Sequence, residues 1–229
     1  MNKTKKDYLS VIYNEKDRPF TNYPDKLTRH LVEIFNLEKQ MKLLDVGCGR
    51  GEFLKGFINI GLDCYGIDQS EAAKKFCPEA NIKVSDIQNY DFPYDDNCFD
   101  VIFSKSVIEH FYYPEKIVKE IYRILKPGGI VITLTPDWHY NYRMFYEDYT
   151  HRTPFIDTSL KDIFLIHHFN EVKVEKFKQL PILWKKNLIL LVISELTRII
   201  LPNIFKKYFK WVKFSKEIML ICIARKPIE

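Results

Sequence analysis

Three carboxylates follow one another along this chain, each at the end of a short apolar run and each leading into a turn. Leu43-Leu44-Asp45-Val46 runs into Gly47-Cys48-Gly49-Arg50-Gly51, Gly66-Ile67 into Asp68-Gln69, and Val84-Ser85 into Asp86-Ile87. The first reads as a strand that turns through alternating glycines into a helix, and glycine lets a ligand lie against bare backbone. A dinucleotide site would place a small residue at position 52, where this chain has Glu52. A pyrophosphate would also meet Asp45 and Glu52 on either side of the turn, and like charges repel. The pattern therefore selects a ligand with a cationic centre over a nicotinamide dinucleotide.

S-adenosylmethionine carries such centres, an α-ammonium and a sulfonium. Asp45, Gly47, Cys48, Gly49 and Gly51 are placed to hold its amino-acid end. Asp68, followed by Gln69, can accept both ribose hydroxyls in charge-assisted hydrogen bonds, and Asp86 with Ile87 suits the adenine amino group and ring face. Ser104, closing the fourth strand, completes the expected cofactor set. Any one of these acids alone reads as a helix cap or a surface charge. Three in order, at the carboxyl ends of successive strands, match where open parallel sheets bind ligands.

Methyl transfer from such a cofactor is alignment of a nucleophile, with a base added when the nucleophile is a hydroxyl. Histidine, with an ordinary pKa near neutrality, is the usual base. His110 follows the fourth strand, Asp137 and His139 follow the fifth, and Asp148 with His151 lies in the stretch Pro136 to Pro154. The bland alternatives are a helix-entrance residue for His110 and a turn-stabilising pair for Asp148 and His151. His167 and His168 fall at a helix end and read as structural. Tyr140, Tyr142, Phe145, Tyr146 and Tyr149 could stack on a sugar ring or simply roof the cofactor. Arg18 to Pro24 reads as a lid or as the entry loop of a helix.

Positioning these groups requires a sheet. Strands are expected at Lys42–Gly47, Cys64–Asp68, Ile82–Ser85, Phe99–Ser104 and Ile130–Thr135, with helices between them, as at Tyr113–Leu125, stopped by Lys126-Pro127-Gly128-Gly129. Such alternation predicts an α/β fold with a parallel sheet covered by helices on both faces. A helix (Ser159–His167), a strand (Glu171–Lys178), a basic segment and a last strand (Glu217–Ala224) follow. One domain is expected over residues 1–229: a lid and helix to 40, a cofactor-binding core over 41–180, a helical insertion over 181–216 and the last strand.

The motif set resembles the class I S-adenosylmethionine-dependent methyltransferases over about residues 25–180. Asp45 to Gly51 is similar to their first motif, Asp68 to the ribose acid, and Asp86-Ile87 to the adenine contact. Phe99 to His110 and Leu125 to Gly129 resemble the ubiquinone-biosynthesis-like branch, and Tyr146 to Phe155 more faintly resembles bacterial enzymes of cell-surface polysaccharide assembly. The resemblance implies a Rossmann-like seven-stranded methyltransferase sheet with an antiparallel last strand.

The acceptor is narrowed by exclusion. Families that methylate adenine N6 or glutamine amides carry an Asp/Asn-Pro-Pro-aromatic turn where this chain reads Ser104-Lys105-Ser106-Val107, which argues against nucleic-acid bases. Cytosine-C5 chemistry needs a nucleophilic Cys beside Pro, and Cys77-Pro78 is expected in a helix tail away from the site. A small molecule or glycan remains, with O-methylation of a sugar or envelope precursor preferred to N-methylation of an amino sugar, to a quinone or lipid acceptor, and to a non-catalytic binding module.

The chain has 229 residues, 46% of them hydrophobic, which is ample for a core. Five cysteines, without C-x-x-C spacing or a zinc-type His/Cys cluster, predict reduced thiols and no metal. With no apolar signal-peptide core and no uninterrupted apolar span of membrane length, a cytoplasmic protein is expected. Charge is uneven: Ile182 to Lys216 holds eight basic residues against Glu195, a net of +7 in a chain of net +5, which leaves −2 for the remainder. A broad apolar helix is expected there from Leu188 to Ile200. After Pro202, a second face of Ile204, Phe205, Tyr208, Trp211 and Val212 should lie opposite Lys206, Lys207, Lys210 and Lys213. That pattern suits peripheral contact with the inner face of a membrane, and alternatively packing on the sheet edge or a homodimer.

Overall fold

The computed structural model describes Glu15, residues 18–185 and residues 187–228. The chain runs α1 (Tyr23–Ile34), β1 (Lys42–Val46), α2 (Glu52–Ile60), β2 (Asp63–Asp68), α3 (Ala72–Phe76), β3 (Asn81–Val84) and β4 (Phe99–Lys105). It continues through α4 (Pro114–Ile124), β5 (Leu125–Pro136), α5 (Trp138–Asn141), α6 (Asp157–Ile166), β6 (Asn170–Phe177), α7 (Leu188–Ile200), α8 (Lys210–Lys216) and β7 (Met219–Arg225).

The strands form one seven-stranded sheet in the order β3-β2-β1-β4-β5-β7-β6. β1 to β5 are parallel, and β7 is inserted antiparallel between β5 and β6. The order reverses between β1 and β4, so their carboxyl ends open a crevice at the centre of the sheet, where parallel sheets take ligands.

Alternating strand residues feed two apolar layers. Leu44, Val46, Ile102, Val131 and Leu220 pack with α4 and α6 on one face. Leu43, Val101, Phe103, Ile132 and Ile221 pack with α1 and α2 on the other. Both faces are covered, and the β1 run is correspondingly apolar except for Asp45, which is 2% exposed.

β5 begins directly after α4, earlier than the Ile130 expected, with a register shift between Phe99 and Val101 of β4 and a left-handed Gly128 (φ +77°) absorbing the extra residues. The larger difference lies in the basic segment. Pro202 ends α7, a 3-10 turn spans Asn203–Lys207, and extended Phe209 (φ −126°, ψ 113°) starts the short α8. The lysine-topped face expected after Pro202 therefore does not form on one helix. Val212 is buried, Lys206 pairs with Glu217 at 3.3 Å, and Trp211 donates to Thr197 at 3.0 Å.

Candidate functional site

A cavity of about 380 Å³ opens at the crevice between β1 and β4, within the roughly 300–1,000 Å³ usual for ligand pockets. Asp45, Gly47, Cys48, Gly49, Asp68, Gln69, Asp86 and Ile87 line it, so strand-end acids and the glycine turn expected to hold a cofactor meet in one place.

The turn is fixed by close approach. Gly47 is left-handed (φ +73°), and a Cβ there would sit 2.4 Å from Val107 Cγ2. Gly51 likewise (φ +80°) would meet Cys77 Cβ at 2.8 Å. Cys77 thus lies beneath the glycine turn and not away from it. It is fully buried and its thiol is pushed up to about 11, so it is no nucleophile and the case against cytosine-C5 chemistry stands on burial.

Asp68 is oriented before any ligand arrives: one oxygen accepts the Gly49 amide at 2.9 Å, the other the Ser70 amide at 2.9 Å. Asp86 caps its own turn through Gln88 N at 3.0 Å and Asn89 Nδ2 at 2.7 Å. A carboxylate oxygen can accept more than one hydrogen bond, so these contacts are compatible with a ribose hydroxyl at Asp68 and an adenine amine at Asp86. Asp45 differs, because its Oδ2 is buried without a hydrogen-bond partner. Burial first, and then the charge of Asp68, push its pKa well above the ordinary carboxylate value. An orphaned buried acid beside a second carboxylate is a strong attractor for an ammonium or sulfonium. The donor set therefore fits S-adenosylmethionine and disfavours a phosphate.

Glu52 does not share in that negative floor, contrary to the expectation that it flanks the turn as a free charge. Arg50 binds it at 2.7 Å and neutralises it. The same guanidinium donates to the Arg18 carbonyl at 2.8 Å and lies 4.3 Å from the Phe20 ring centroid. Residues 18–20 are thereby pinned on the glycine turn, and they are not among the residues lining the cavity.

His110 lines the cavity, while Asp148 and His151 stand behind it. Thr150, which no sequence pattern marked, links them. Its hydroxyl donates to Asp148 Oδ1 at 2.6 Å and lies 2.9 Å from His110 Nδ1. A hydroxyl has one hydrogen, so His110 Nδ1–H must donate to Thr150, leaving the lone pair on Nε2. His151 Nδ1 faces the Phe145 carbonyl at 2.6 Å, which can only accept, so its lone pair is on Nε2 as well. Burial, and next the neighbouring His151, hold the His110 imidazole down to about 4, with Asp148 pulling the other way. Burial also opposes ionisation of Asp148, yet the Thr150 hydrogen bonds hold it below the ordinary carboxylate range.

The other expected residues fall outside. His139, 60% exposed at its side chain, pairs with Asp137 at 3.4 Å at the start of α5, away from the cavity-lining set. Ser104 is buried near the end of β4, its hydroxyl without a partner among the described residues, and is not among the residues lining the cavity. Its place is taken by the next residues. Ser106 lines the cavity in a left-handed conformation (φ +58°), and Lys105 lines it with an ammonium held down to about 8 by burial. Glu109 is fully buried, accepts from Thr135 Oγ1 at 3.0 Å, has Oε1 unpartnered, and is pushed up to about 7 by burial. Glu109, His110 and His151 bring potential ligand atoms within 4.8 Å of one another, a carboxylate and two imidazoles of a kind that could hold a divalent metal.

The strand order and covering helices define the class I methyltransferase fold. Residues 44–133 match the family model described as a methyltransferase domain. Among curated proteins, the chain is 35% identical over 115 residues to phosphoethanolamine N-methyltransferase 3 of Arabidopsis thaliana, covering 46% of this chain and 23% of that protein. It is 33% identical over 109 residues to the chloroplastic tocopherol O-methyltransferase of the same plant, covering 43% and 31%. The matched part thus spans less than a third of either relative. A solved S-adenosylmethionine-dependent methyltransferase of Archaeoglobus fulgidus superposes with a TM-score of 0.68 at 24% identity, covering 96% of this chain and all of that one.

Proposed function

We propose that this chain is an S-adenosylmethionine-dependent methyltransferase whose acceptor is a hydroxyl, on a sugar or a cell-envelope glycan precursor. When bound, the cofactor supplies an electrophilic methyl carbon. Asp45 faces its ammonium, Asp68 its ribose and Asp86 its adenine. The observation that carries the hydroxyl acceptor is the chain Asp148–Thr150–His110, whose last two members line the same cavity. As oxygen takes the methyl group, its proton passes to His110 Nε2, and the imidazolium that forms is stabilised through Thr150 by Asp148. An amine acceptor would not need this relay.

The mouth supports a sugar acceptor bearing negative charge. Tyr112 and Tyr149 are 68% and 71% exposed, Arg152 lies 5.0 Å from the Tyr112 ring centroid, and Lys105 is nearby in the lining. Rings for a sugar face and cations for an acidic or phosphorylated group are thus combined.

Calorimetry with S-adenosylmethionine and its demethylated product tests the cofactor. Wild type should bind both, and Asp68→Ala should lose roughly 1.5 to 3 kcal/mol, the value of a hydrogen bond to a charged group. Transfer of labelled methyl to sugar nucleotides, with amino-sugar analogues alongside, tests the acceptor. Methylation only of the amine would overturn the hydroxyl reading.

A further inference from the structure

α7 is inside out. Its one buried residue is Ser194, whose hydroxyl meets Ser215 of α8 at 3.0 Å. Beside it, half-buried Leu190 and Leu191 share the inward side with polar contacts, Glu195 with Lys178 and with Arg198, and Thr197 with Trp211 at 3.0 Å. The outward side is apolar, with Leu188, Ile189, Ile199 and Ile200 each 67–73% exposed, and the face continues past the break through Ile204 and Tyr208 at 63% and 73%. A helix facing water carries the opposite arrangement. So large an apolar surface marks a contact with something other than solvent.

The charges around it choose the occupant. Arg198 and Lys206 are committed to Glu195 and Glu217, but exposed Lys185, Lys207 and Lys210 make no ion pair among the described residues. A two-fold contact between copies would bring these lysines toward their own equivalents. An anionic bilayer instead takes the aliphatic side chains at its acyl boundary and the lysines at its headgroups. No helix among the described residues is long and apolar enough to cross a membrane, so α7 would lie in the interface plane.

We propose that the face formed by α7 and the following 3-10 turn docks this protein on an anionic lipid surface. Next to this face, Arg198 lies 5.0 Å from the Tyr140 ring centroid and Lys206 Nζ 3.0 Å from Met144 Sδ, in the segment that leads to Thr150. The proposal goes beyond the methyltransferase reading and does not depend on it.

The test is sedimentation of the full chain with phosphatidylcholine vesicles and with mixed phosphatidylcholine–phosphatidylglycerol vesicles. Binding to the mixed vesicles should be at least tenfold stronger and should fall as salt rises. Each lysine near an anionic surface contributes about a fivefold change in partitioning, so the triple variant Lys185→Glu, Lys207→Glu, Lys210→Glu, which removes three such charges and adds three repelled ones, should bind at least about 100-fold more weakly. Leu188→Ser with Ile199→Ser should abolish binding. An unchanged melting temperature in both variants verifies the fold. Equal binding to both vesicle types, or none to either, overturns the proposal. So does a wild-type dimer in light scattering that Leu188→Ser with Ile199→Ser converts to monomer while vesicle binding is unaltered.

Discussion

Arg50 closes on Glu52 at 2.7 Å, and this pair takes Glu52 out of the acids facing the cavity, leaving Asp45, Asp68 and Asp86. Asp45 accordingly works against the fold on its own. Its pKa is raised on folding, so its ionised form is disfavoured in the native state, and stability is lost as pH rises from the unfolded value upward.

Asp45→Asn should therefore stabilise the ligand-free protein at neutral pH and raise its melting temperature, because the amide cannot ionise in the buried site. The same variant should lose measurable affinity for S-adenosylmethionine in calorimetry. A melting temperature at or below wild type would contradict this account of Asp45.

Thr150→Val should slow transfer to a hydroxyl acceptor about 10- to 100-fold with cofactor affinity unchanged, and Thr150→Ser should restore most of the rate. Because the His110 imidazole is held near 4, the wild-type rate should stay level from about pH 8 to pH 6 and fall only toward pH 4. A wild-type rate that halves near pH 6.5 would place the base elsewhere.

Glu109 titrates in the opposite sense from an exposed acid. With its pKa raised to about 7, it contributes stability fully below the unfolded carboxylate value, and this is lost as pH rises through about 7. Chemical denaturation of Glu109→Gln, which keeps an acceptor for Thr135, should lack a decline of about 2 to 3 kcal/mol that wild type shows between pH 4.5 and 7.5. Parallel curves for the two proteins would show that Glu109 is ionised at an ordinary pH.

Gly47→Ala places a methyl group 2.4 Å from Val107 Cγ2 in a left-handed conformation, and should cost about 1 to 3 kcal/mol of stability in urea unfolding. Pairing it with Val107→Ala should recover the steric part of the loss but not the backbone part.

Apolar periodicity made the strands legible to within a few residues, because the central ones are buried on both faces and each is bounded by a turn. The cofactor acids were legible for the same reason: a strand end is a local feature. Thr150 was not, since its partner His110 lies forty residues away and nothing local marks a hydroxyl as a relay. Glu109 left one signal, an acid directly following Val107-Ile108, which is the signature of a buried carboxylate. The sequence puts Ser104 at the crevice in place of Lys105 and Ser106, because it shows where a strand stops but not which of its last residues turns toward the ligand space. The α7 face was seen as apolar, but which side would meet the protein depended on Ser194 and Ser215 finding each other across a turn.

The backbone carbonyl of Glu109 accepts the amides of both Arg152 and Thr153, at 2.8 and 3.0 Å. Two stretches of chain are seamed there: one, within residues 44–133, carries the strand-end acids together with Lys105, His110 and Tyr112, and the other, 137–155, adds Asp148, Tyr149, Thr150 and Arg152 beside them. Main-chain bonds are indifferent to side-chain identity, so the second stretch can be rewritten residue by residue while the seam holds. The residues of the second stretch could thus change without disturbing the strand-end acids and the glycine turn, and an engineer could exploit this by recombining at the joint.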